Sequence, residues 1–274
     1  MPSFRLVTTD ADGVHLYEIV ACERAPEIDL IDELAAELRA LYTDVEDLAE
    51  TLRAQLGDLG AVADEGRITN VLERVLAASI PPPGQHTIAH LDVARNELAE
   101  LPAHLVLQGR YGTLVPASRI RHKEIPNAPA RGLDLLGLEF DPLVGVATEV
   151  KASAEETSPP AVVGTGDDSL RGQYEAFLND PDRMIAELNR LYKQADDARR
   201  EAIAAAILGQ VEGTLPIVVA PVLVRPRDRL GDSDFGCFRD QPDRFGGRPV
   251  RFSLVTVDHG LEDLAKAVYE KARS

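Results

Sequence analysis

The sequence has little cysteine and no long apolar run. Its two cysteines, Cys22 and Cys237, lie far apart, which excludes a disulfide framework and a C-x-x-C metal ribbon. No apolar run approaches the ~20 residues that a membrane span needs. The beginning of the chain, MPSFRLVTTD, lacks the apolar core of a signal peptide. We therefore expect a cytoplasmic globular protein that does not associate with a membrane.

Basic residues are also scarce relative to acidic ones. The chain has 46 Asp and Glu against 29 Lys and Arg, a formal charge of −17. This balance argues against a general polyanion binder, although net charge says nothing about a local basic patch. With 274 residues, 45% of them hydrophobic, the chain can bury a substantial core as one large domain or two small ones.

The negative charge is concentrated near the N-terminus. The window from Glu27 to Glu65 holds twelve acidic residues and two basic ones, so it alone carries −10. Its apolar residues recur at steps of three and four, which predicts a helix over 28–41, and Asp44 is placed to cap a second helix. Before this window, FRLVTT and GVHLYEIVA predict two strands joined by a turn at D-A-D-G.

A composition break divides the chain. A third helix, predicted over 68–79, runs into P-P-P-G at 81–84, which cannot continue a helix. We therefore expect an acidic α+β region over 1–84, with a possible partner-binding or regulatory role, and a second domain over 85–274.

The sequence over 85–274 predicts an α/β fold. A helix over 88–107 is followed by a basic strand over 114–123, and GLDLLGLEF and VATEVKAS form a hairpin around the turn D-P-L-V-G. Helices over 169–178 and 181–208 come next, the second capped by Asp180, and the apolar run PIVVAPVLV is a buried strand. The order helix, three strands, helix, strand predicts a mixed sheet flanked by helices on both faces.

Three charged residues in the hairpin form a constellation. Residues two apart on a strand share a face, so Glu149 and Lys151 point the same way. For a turn centred on Asp141-Pro142, Asp134 stands directly opposite Glu149. Placing these charges among apolar strand residues is costly unless they bind something.

The chemistry of this constellation suits a metal ion. Two carboxylates are hard ligands for Mg²⁺, with Mn²⁺ as a possible substitute, and the lysine supplies a cation that can orient water or stabilise phosphorane charge. The alternative is an ordinary cross-strand salt bridge on a solvated face. With only five lysines against 24 arginines in the chain, a plain ion pair here would more often use arginine.

These residues resemble a known signature. Asp134, a hairpin, and then Glu149-Val150-Lys151 look like the D…E-x-K signature of the PD-(D/E)XK nuclease superfamily, except that Leu133 stands where the signature has proline. The resemblance implies a PD-(D/E)XK core. It also implies Asp134 and Glu149 as metal ligands, the Val150 carbonyl as a third, and Lys151 as the cation that positions water.

A longer string, RGLDLLGLEF…GVATEVKAS, is similar to the HamA family. HamA proteins are the nuclease components of Hachiman anti-phage defence systems, which work with a helicase-like partner, HamB. The similarity covers about residues 88–225 well and the N-terminal third poorly. It implies a role in antiviral defence, with DNA and a helicase-like subunit as partners.

Further residues are secondary candidates. In this superfamily the first helix often donates an acid, for which Glu97 is the better placed, and some relatives carry a glutamine on the helix after E-x-K, which here is Gln173. An exposed Glu97 and a plain surface Gln173 are the alternatives. Phosphate contacts need local positive charge, and the candidates are four basic residues that precede Asp134: Arg119, Arg121, Lys123 and Arg131. A second stretch, 225–251, carries seven Arg against five Asp, and for it we favour a loop of balanced charge.

Three functions remain open from the sequence. The first is a Mg²⁺-dependent deoxyribonuclease that hydrolyses DNA phosphodiester bonds. The second is a non-catalytic scaffold or regulatory subunit with the nuclease fold, and the third is a nuclease acting on RNA.

Overall fold

The structure is a computed structural model with an α/β architecture, in which mixed sheets are flanked by helices. It describes residues 3–23, 30–58, 65–83, 93–118, 134–195, 197–258 and 260–274. The expected α/β class is thereby confirmed.

The described residues form strands and helices that alternate along the chain. The strands are β1 (Ser3–Asp12), β2 (His15–Glu23), β3 (Leu114–Ser118), β4 (Leu135–Phe140), β5 (Leu143–Thr148), β6 (Val150–Ala152), β7 (Ile217–Val219), β8 (Val222–Pro226) and β9 (Arg251–Val257). The helices are α1 (Leu30–Tyr42), α2 (Val45–Asp58), α3 (Glu65–Ser79), α4 (Val93–Tyr111), α5 (Ala161–Gly164), α6 (Leu170–Leu178), α7 (Pro181–Gln194), α8 (Asp197–Val211), α9 (Cys237–Asp240) and α10 (Leu261–Arg273).

The strands form two sheets. The five-stranded sheet has the order β1-β2-β9-β8-β6, in which β1 is antiparallel to β2 and the other pairs are parallel. The four-stranded sheet has the order β3-β4-β5-β7, with β5 and β7 parallel and the other pairs antiparallel.

The chain passes from one sheet to the other at two places. β5 leads into β6 through Glu149, and β7 leads into β8 through Ala220-Pro221, so both segments leave one sheet and enter the other at the same level. Backbone hydrogen bonds continue across this break, from the Ala220 N–H to the Ala147 carbonyl (2.9 Å) and from the Val222 N–H to the Glu149 carbonyl (3.0 Å). Pro221 has no N–H to donate, which is one reason why the ladder is interrupted here.

The hydrophobic core lies on both faces of the five-stranded sheet. Val150 and Val222 pack with residues of α4, α1 and α10, whereas Leu223 and Leu254 pack with residues of α6 and α7. Because successive strand residues point to opposite faces, Val150 and Lys151 face different layers. The prediction of helices on both faces is therefore confirmed.

The secondary structure predicted for the N-terminal region is confirmed. β1 and β2 form the expected hairpin, with Gly13 in the turn at φ +59°. The predicted helices correspond to α1, α2 and α3, and the Asp44 carboxylate accepts the Asp47 N–H at 3.1 Å, as expected for the cap of α2.

Several later elements differ from the predictions. The helix expected over 181–208 is two helices, α7 and α8, because α7 ends at Gln194 and Ala195 has extended backbone angles. The strand expected over 114–123 ends at Ser118, and 119–123 lies outside the described residues. β9 and α10 were not predicted, although β9 lies between β2 and β8.

Residues before and after position 84 share a sheet and a core. β2 pairs with β9 over six residue pairs beginning at Leu16↔Arg251. The Arg39 guanidinium of α1 donates to the carbonyls of Ala272 (2.9 Å) and Lys271 (2.7 Å) in α10. The composition break at 81–84 is therefore not a break in the sheet, and separate roles for 1–84 and 85–274 stay a prediction.

Within the described part of the chain, no helix combines the length and apolarity needed to cross a bilayer. The cytoplasmic location expected from the sequence stays a prediction.

Candidate metal and phosphodiester site

The β4–β5 hairpin has the register expected from the sequence. Its pairs run from Phe140↔Leu143 at the turn to Leu135↔Thr148 at the open end, around the turn at Asp141-Pro142. Asp134 and Glu149 are the next residues on the two sides, so they stand opposite each other just beyond the last pair.

Asp134 is fixed by the strand that follows the hairpin. Only 6% of its surface is exposed, and its Oδ2 accepts the Val150 N–H at 2.7 Å. A charge-assisted hydrogen bond to a backbone amide fixes the orientation of the carboxylate. Asp134 therefore bridges the start of β4 and the start of β6.

Glu149 and Lys151 form an ion pair beside Asp134. Glu149 is 2% exposed, and its Oε1 lies 3.3 Å from the Lys151 Nζ, whose side chain is 19% exposed. Burial alone would lower the pKa of Lys151, but the charges of Glu149, Asp134 and Asp168 outweigh it and raise that pKa above its ordinary value. The lysine is therefore a stable cation between carboxylates.

Asp168 also contacts Lys151, which the sequence did not predict. Its Oδ1 lies 3.2 Å from the Lys151 Nζ, and its side chain is 95% exposed. Asp168 lies in the segment just before α6, and nothing in its local sequence predicts that it approaches Lys151. The carboxylates of Glu149 and Asp168 thus contact one ammonium group, and the charge of Asp134 also acts on it.

Tyr174 holds the backbone on which Glu149 stands. Its hydroxyl accepts the Glu149 N–H at 2.9 Å and donates to the Ala147 carbonyl at 2.9 Å. The tyrosine is fully buried in α6. The sequence places Tyr174 on the helix that follows E-x-K, but nothing in the sequence predicts that its hydroxyl bonds to the backbone at Glu149.

The two secondary candidates lie in different places. Gln173 is on α6, and its Nε2 donates to the Asp167 carbonyl at 3.1 Å, next to the Asp168 that binds Lys151. Glu97 is buried on α4, where its Oε2 accepts the hydroxyls of Tyr42 (2.8 Å) and Tyr269.

We call Asp134, Glu149 and Lys151 the triad. The structure does not bring Glu97 together with the triad in any described contact. Glu97 is flanked on α4 by Leu98, which packs in the core cluster of Val150, whereas the Lys151 side chain points to the other face of the sheet. The alternative of an exposed Glu97 is wrong, because the two tyrosines bury it between α1, α4 and α10. A metal-site role for Glu97 stays a prediction.

The predicted phosphate-binding residues are not described. Arg119, Arg121, Lys123 and Arg131 all lie in 119–133, outside the described residues. The second basic stretch is described, and six of its seven arginines form ion pairs: Arg225 with Asp234, Arg227 with Asp258, Arg229 with Glu156, Arg239 with Asp10, Arg244 with Glu175 and Arg251 with Glu139. The solvated loop favoured for this stretch is wrong in part, because it includes the end of β8, helix α9 and the start of β9, and because Arg225 and Asp234 are fully buried.

The donor set fits Mg²⁺ better than a softer metal. Asp134 and Glu149 offer carboxylate oxygens, and Mg²⁺ typically takes one or two carboxylates with water and phosphate as its other ligands. Among the described residues, no three His, Cys, Asp or Glu side chains are grouped as a metal cage would require. Two carboxylates would leave most of the coordination shell of Mg²⁺ to water and substrate.

Comparison with models of known protein families and with curated protein sequences finds no match to this chain.

Proposed function

We propose that this protein is a Mg²⁺-dependent nuclease of the PD-(D/E)XK type that hydrolyses DNA phosphodiester bonds. The observation that carries the proposal is the buried pair Asp134 and Glu149 beside the Lys151 ammonium at the end of the β4–β5 hairpin. Burying two carboxylates next to each other costs free energy, which a bound cation would offset.

Each residue has a distinct role in this proposal. Asp134, Glu149 and the Val150 carbonyl would hold Mg²⁺, which when bound lowers the pKa of water and neutralises phosphate charge. Lys151, kept charged by its carboxylate neighbours, would orient the attacking water and stabilise the negative charge that builds on the phosphorus oxygens. Hydrolysis forms a bond from the water oxygen to phosphorus and breaks one bond from phosphorus to a sugar oxygen, which takes up a proton.

The biological setting is proposed from the resemblance to the HamA family. We propose a role in antiviral defence together with a helicase-like subunit of the HamB type. Support comes from the acidic N-terminal helices, where Glu46, Asp47 and Glu50 are exposed on α2. This surface would repel DNA phosphates, and it suits contact with a basic protein surface.

The nuclease activity is tested with purified protein on linear DNA, circular DNA and RNA, each with Mg²⁺ and with EDTA. We expect cleavage of DNA that requires Mg²⁺. Cleavage confined to RNA would favour the RNase alternative, and absence of cleavage with metal present would favour a scaffold subunit.

Lys151→Ala and Lys193→Ala form a matched pair for this assay. Lys193 is exposed on α7, so its loss controls for the removal of a lysine. We expect Lys151→Ala to lose activity by at least a hundredfold, about 2.7 kcal/mol of transition-state stabilisation, while Lys193→Ala cleaves like the wild type. Equal activity of the two variants would remove Lys151 from the mechanism.

The partner proposal is tested by neutralising Glu46, Asp47 and Glu50 together as Gln, Asn and Gln. Asp44 is left intact because it caps α2. We expect weaker and more salt-sensitive co-purification with the helicase-like subunit, and unchanged co-purification would remove this surface from the interface.

A further inference from the structure

The backbone at Glu149 is held by a side chain. Glu149 lies between β5 and β6, outside both strands, at the point where the chain passes from one sheet to the other. The Tyr174 hydroxyl spans this gap, because it accepts the Glu149 N–H and donates to the Ala147 carbonyl, each at 2.9 Å. One phenol thus replaces the ladder hydrogen bond that the Glu149 N–H would make in a regular strand.

The ring that carries this hydroxyl is tightly held. Tyr174 makes edge-to-face contacts with Phe238 at 5.8 Å and Phe245 at 6.3 Å, and those two rings stack at 4.5 Å. The phenol must supply the proton of its hydrogen bond to the Ala147 carbonyl, because a carbonyl oxygen can only accept. The hydroxyl position is therefore set by the packed aromatic cluster.

We propose that Tyr174 is a positioning residue that fixes the Glu149 backbone so that its carboxylate stays aligned with Asp134 and Lys151. This inference rests on the proposed function, because the alignment is useful if the two carboxylates bind Mg²⁺ around a phosphate. Supporting groups that orient a metal ligand typically contribute 10–100-fold in metal affinity. Without the hydroxyl, the Glu149 peptide loses an acceptor and can rotate.

The test is Tyr174→Phe, which removes the hydroxyl and keeps the ring. We expect Mg²⁺ affinity, measured by calorimetry without substrate, to fall by about tenfold. Hydrogen exchange of the Glu149 amide in metal-free protein should become faster, because its acceptor is gone. The Mg²⁺ concentration giving half-maximal cleavage should rise by about the same factor as the affinity falls.

Tyr17→Phe is the matched control. The Tyr17 hydroxyl is also buried and donates to a backbone carbonyl, that of Phe238, at 2.8 Å, within the same aromatic cluster. It makes no described contact with the Glu149 segment. We expect Tyr17→Phe to lower the melting temperature about as much as Tyr174→Phe while leaving Mg²⁺ affinity and Glu149 exchange unchanged.

Equal Mg²⁺ affinity and equal Glu149 exchange in the two variants would overturn the inference. If the wild type neither binds Mg²⁺ nor cleaves nucleic acid, the proposed function fails, and the anchoring by Tyr174 is then decided by Glu149 exchange alone. Faster exchange in Tyr174→Phe than in Tyr17→Phe supports the anchor, and equal exchange refutes it.

Discussion

Glu18 and Glu149 are two buried carboxylates with different surroundings. Glu18 lies on β2 of the five-stranded sheet, and Glu149 lies just before β6 of the same sheet. Glu18, on β2, is 1% exposed and accepts hydrogen bonds from Arg110 at 2.6 and 2.8 Å, from the Tyr111 hydroxyl at 2.5 Å and from Thr9 at 3.2 Å. We call these four residues the Glu18 cluster. One negative charge there meets one guanidinium and two hydroxyls.

Around Glu149 the balance of charge is opposite, with more carboxylates than cations. We call Asp134, Glu149, Lys151 and Asp168 the Glu149 cluster, in which the charges of three carboxylates act on one ammonium group. Two of these carboxylates are buried and opposite each other at the end of a hairpin.

The difference separates a structural ion pair from a candidate site. A buried charge that is matched by donors is tolerated by the fold, and removing its partner is destabilising. Juxtaposed carboxylates destabilise the fold unless a cation joins them, and such arrangements are typical of functional sites. The Glu18 cluster should therefore govern stability and the Glu149 cluster activity.

The largest expected effect is loss of activity in Glu149→Gln. This change keeps the shape of the side chain and removes one charge, so we expect Mg²⁺-dependent cleavage to fall by about a thousandfold, or ~4 kcal/mol. The melting temperature should fall less than in Glu18→Gln, because Lys151 keeps the charges of Asp134 and Asp168 beside it when its ion pair with Glu149 is lost. Cleavage rates and melting curves check both parts, and near wild-type cleavage would contradict the site assignment.

Glu18→Gln should show the reverse pattern. We expect the free energy of unfolding at pH 7 to fall by about 2 kcal/mol, less than for a fully buried pair because Arg110 is partly exposed. Urea unfolding gives this value, and cleavage by the folded protein should remain at the wild-type level. A large loss of activity without loss of stability would contradict the comparison.

The same variant predicts a pH dependence. Burial alone would raise the pKa of Glu18, but the hydrogen bonds from Arg110, Tyr111 and Thr9 outweigh it and lower that pKa below its ordinary value. A lowered pKa in the folded state stabilises the protein above the unfolded-state pKa of about 4.3, and this contribution is lost as the pH falls through the folded-state pKa. The stability difference between wild type and Glu18→Gln should therefore be full at pH 6–7 and shrink below about pH 4.

Added Mg²⁺ should have a smaller effect on stability. At ten times the dissociation constant, binding raises the free energy of unfolding by about 1.4 kcal/mol, which is a rise in melting temperature of about 3 °C. Asp134→Asn should lose most of this rise while keeping an oxygen to accept the Val150 N–H. Glu18→Gln is the control, and an undiminished rise in Asp134→Asn would place the metal elsewhere.

Asp168→Asn should have the smallest effect. Because Asp168 is almost fully exposed, its ion pair with Lys151 contributes at most about 0.5 kcal/mol to stability. Removing its charge leaves Lys151 with Asp134 and Glu149, so we expect less than a tenfold change in cleavage rate. A change of a hundredfold or more would show that Asp168 belongs to the reacting centre.

Local signals in the sequence were sufficient for much of the site. The turn at Asp141-Pro142 and the two-residue period of the strands together fixed the hairpin register, and the register alone places Asp134 opposite Glu149. The helix caps at Asp44 and Asp180 follow in the same way, because a cap depends on residues within one turn.

Contacts between distant segments were decided only by the tertiary structure. The apolar run at 216–224 indicates a buried strand, but it does not indicate which strands it pairs with. Its division between two sheets at Ala220-Pro221 therefore could not be predicted. Parallel pairing joins segments far apart in the chain, and the place of β9 between β2 and β8 is such a case.

The surroundings of the triad were decided in the same way. The sequence by itself determined which carboxylates face each other, because that depends on one hairpin and its turn. The folded chain decided that Asp168 reaches Lys151, that Tyr174 holds Glu149 and that Glu97 is buried against Tyr42 and Tyr269. These last contacts depend on how the helices pack on the sheet. The periodicity of side chains predicts which face of a helix or strand is buried, but it does not predict which residues that face contacts.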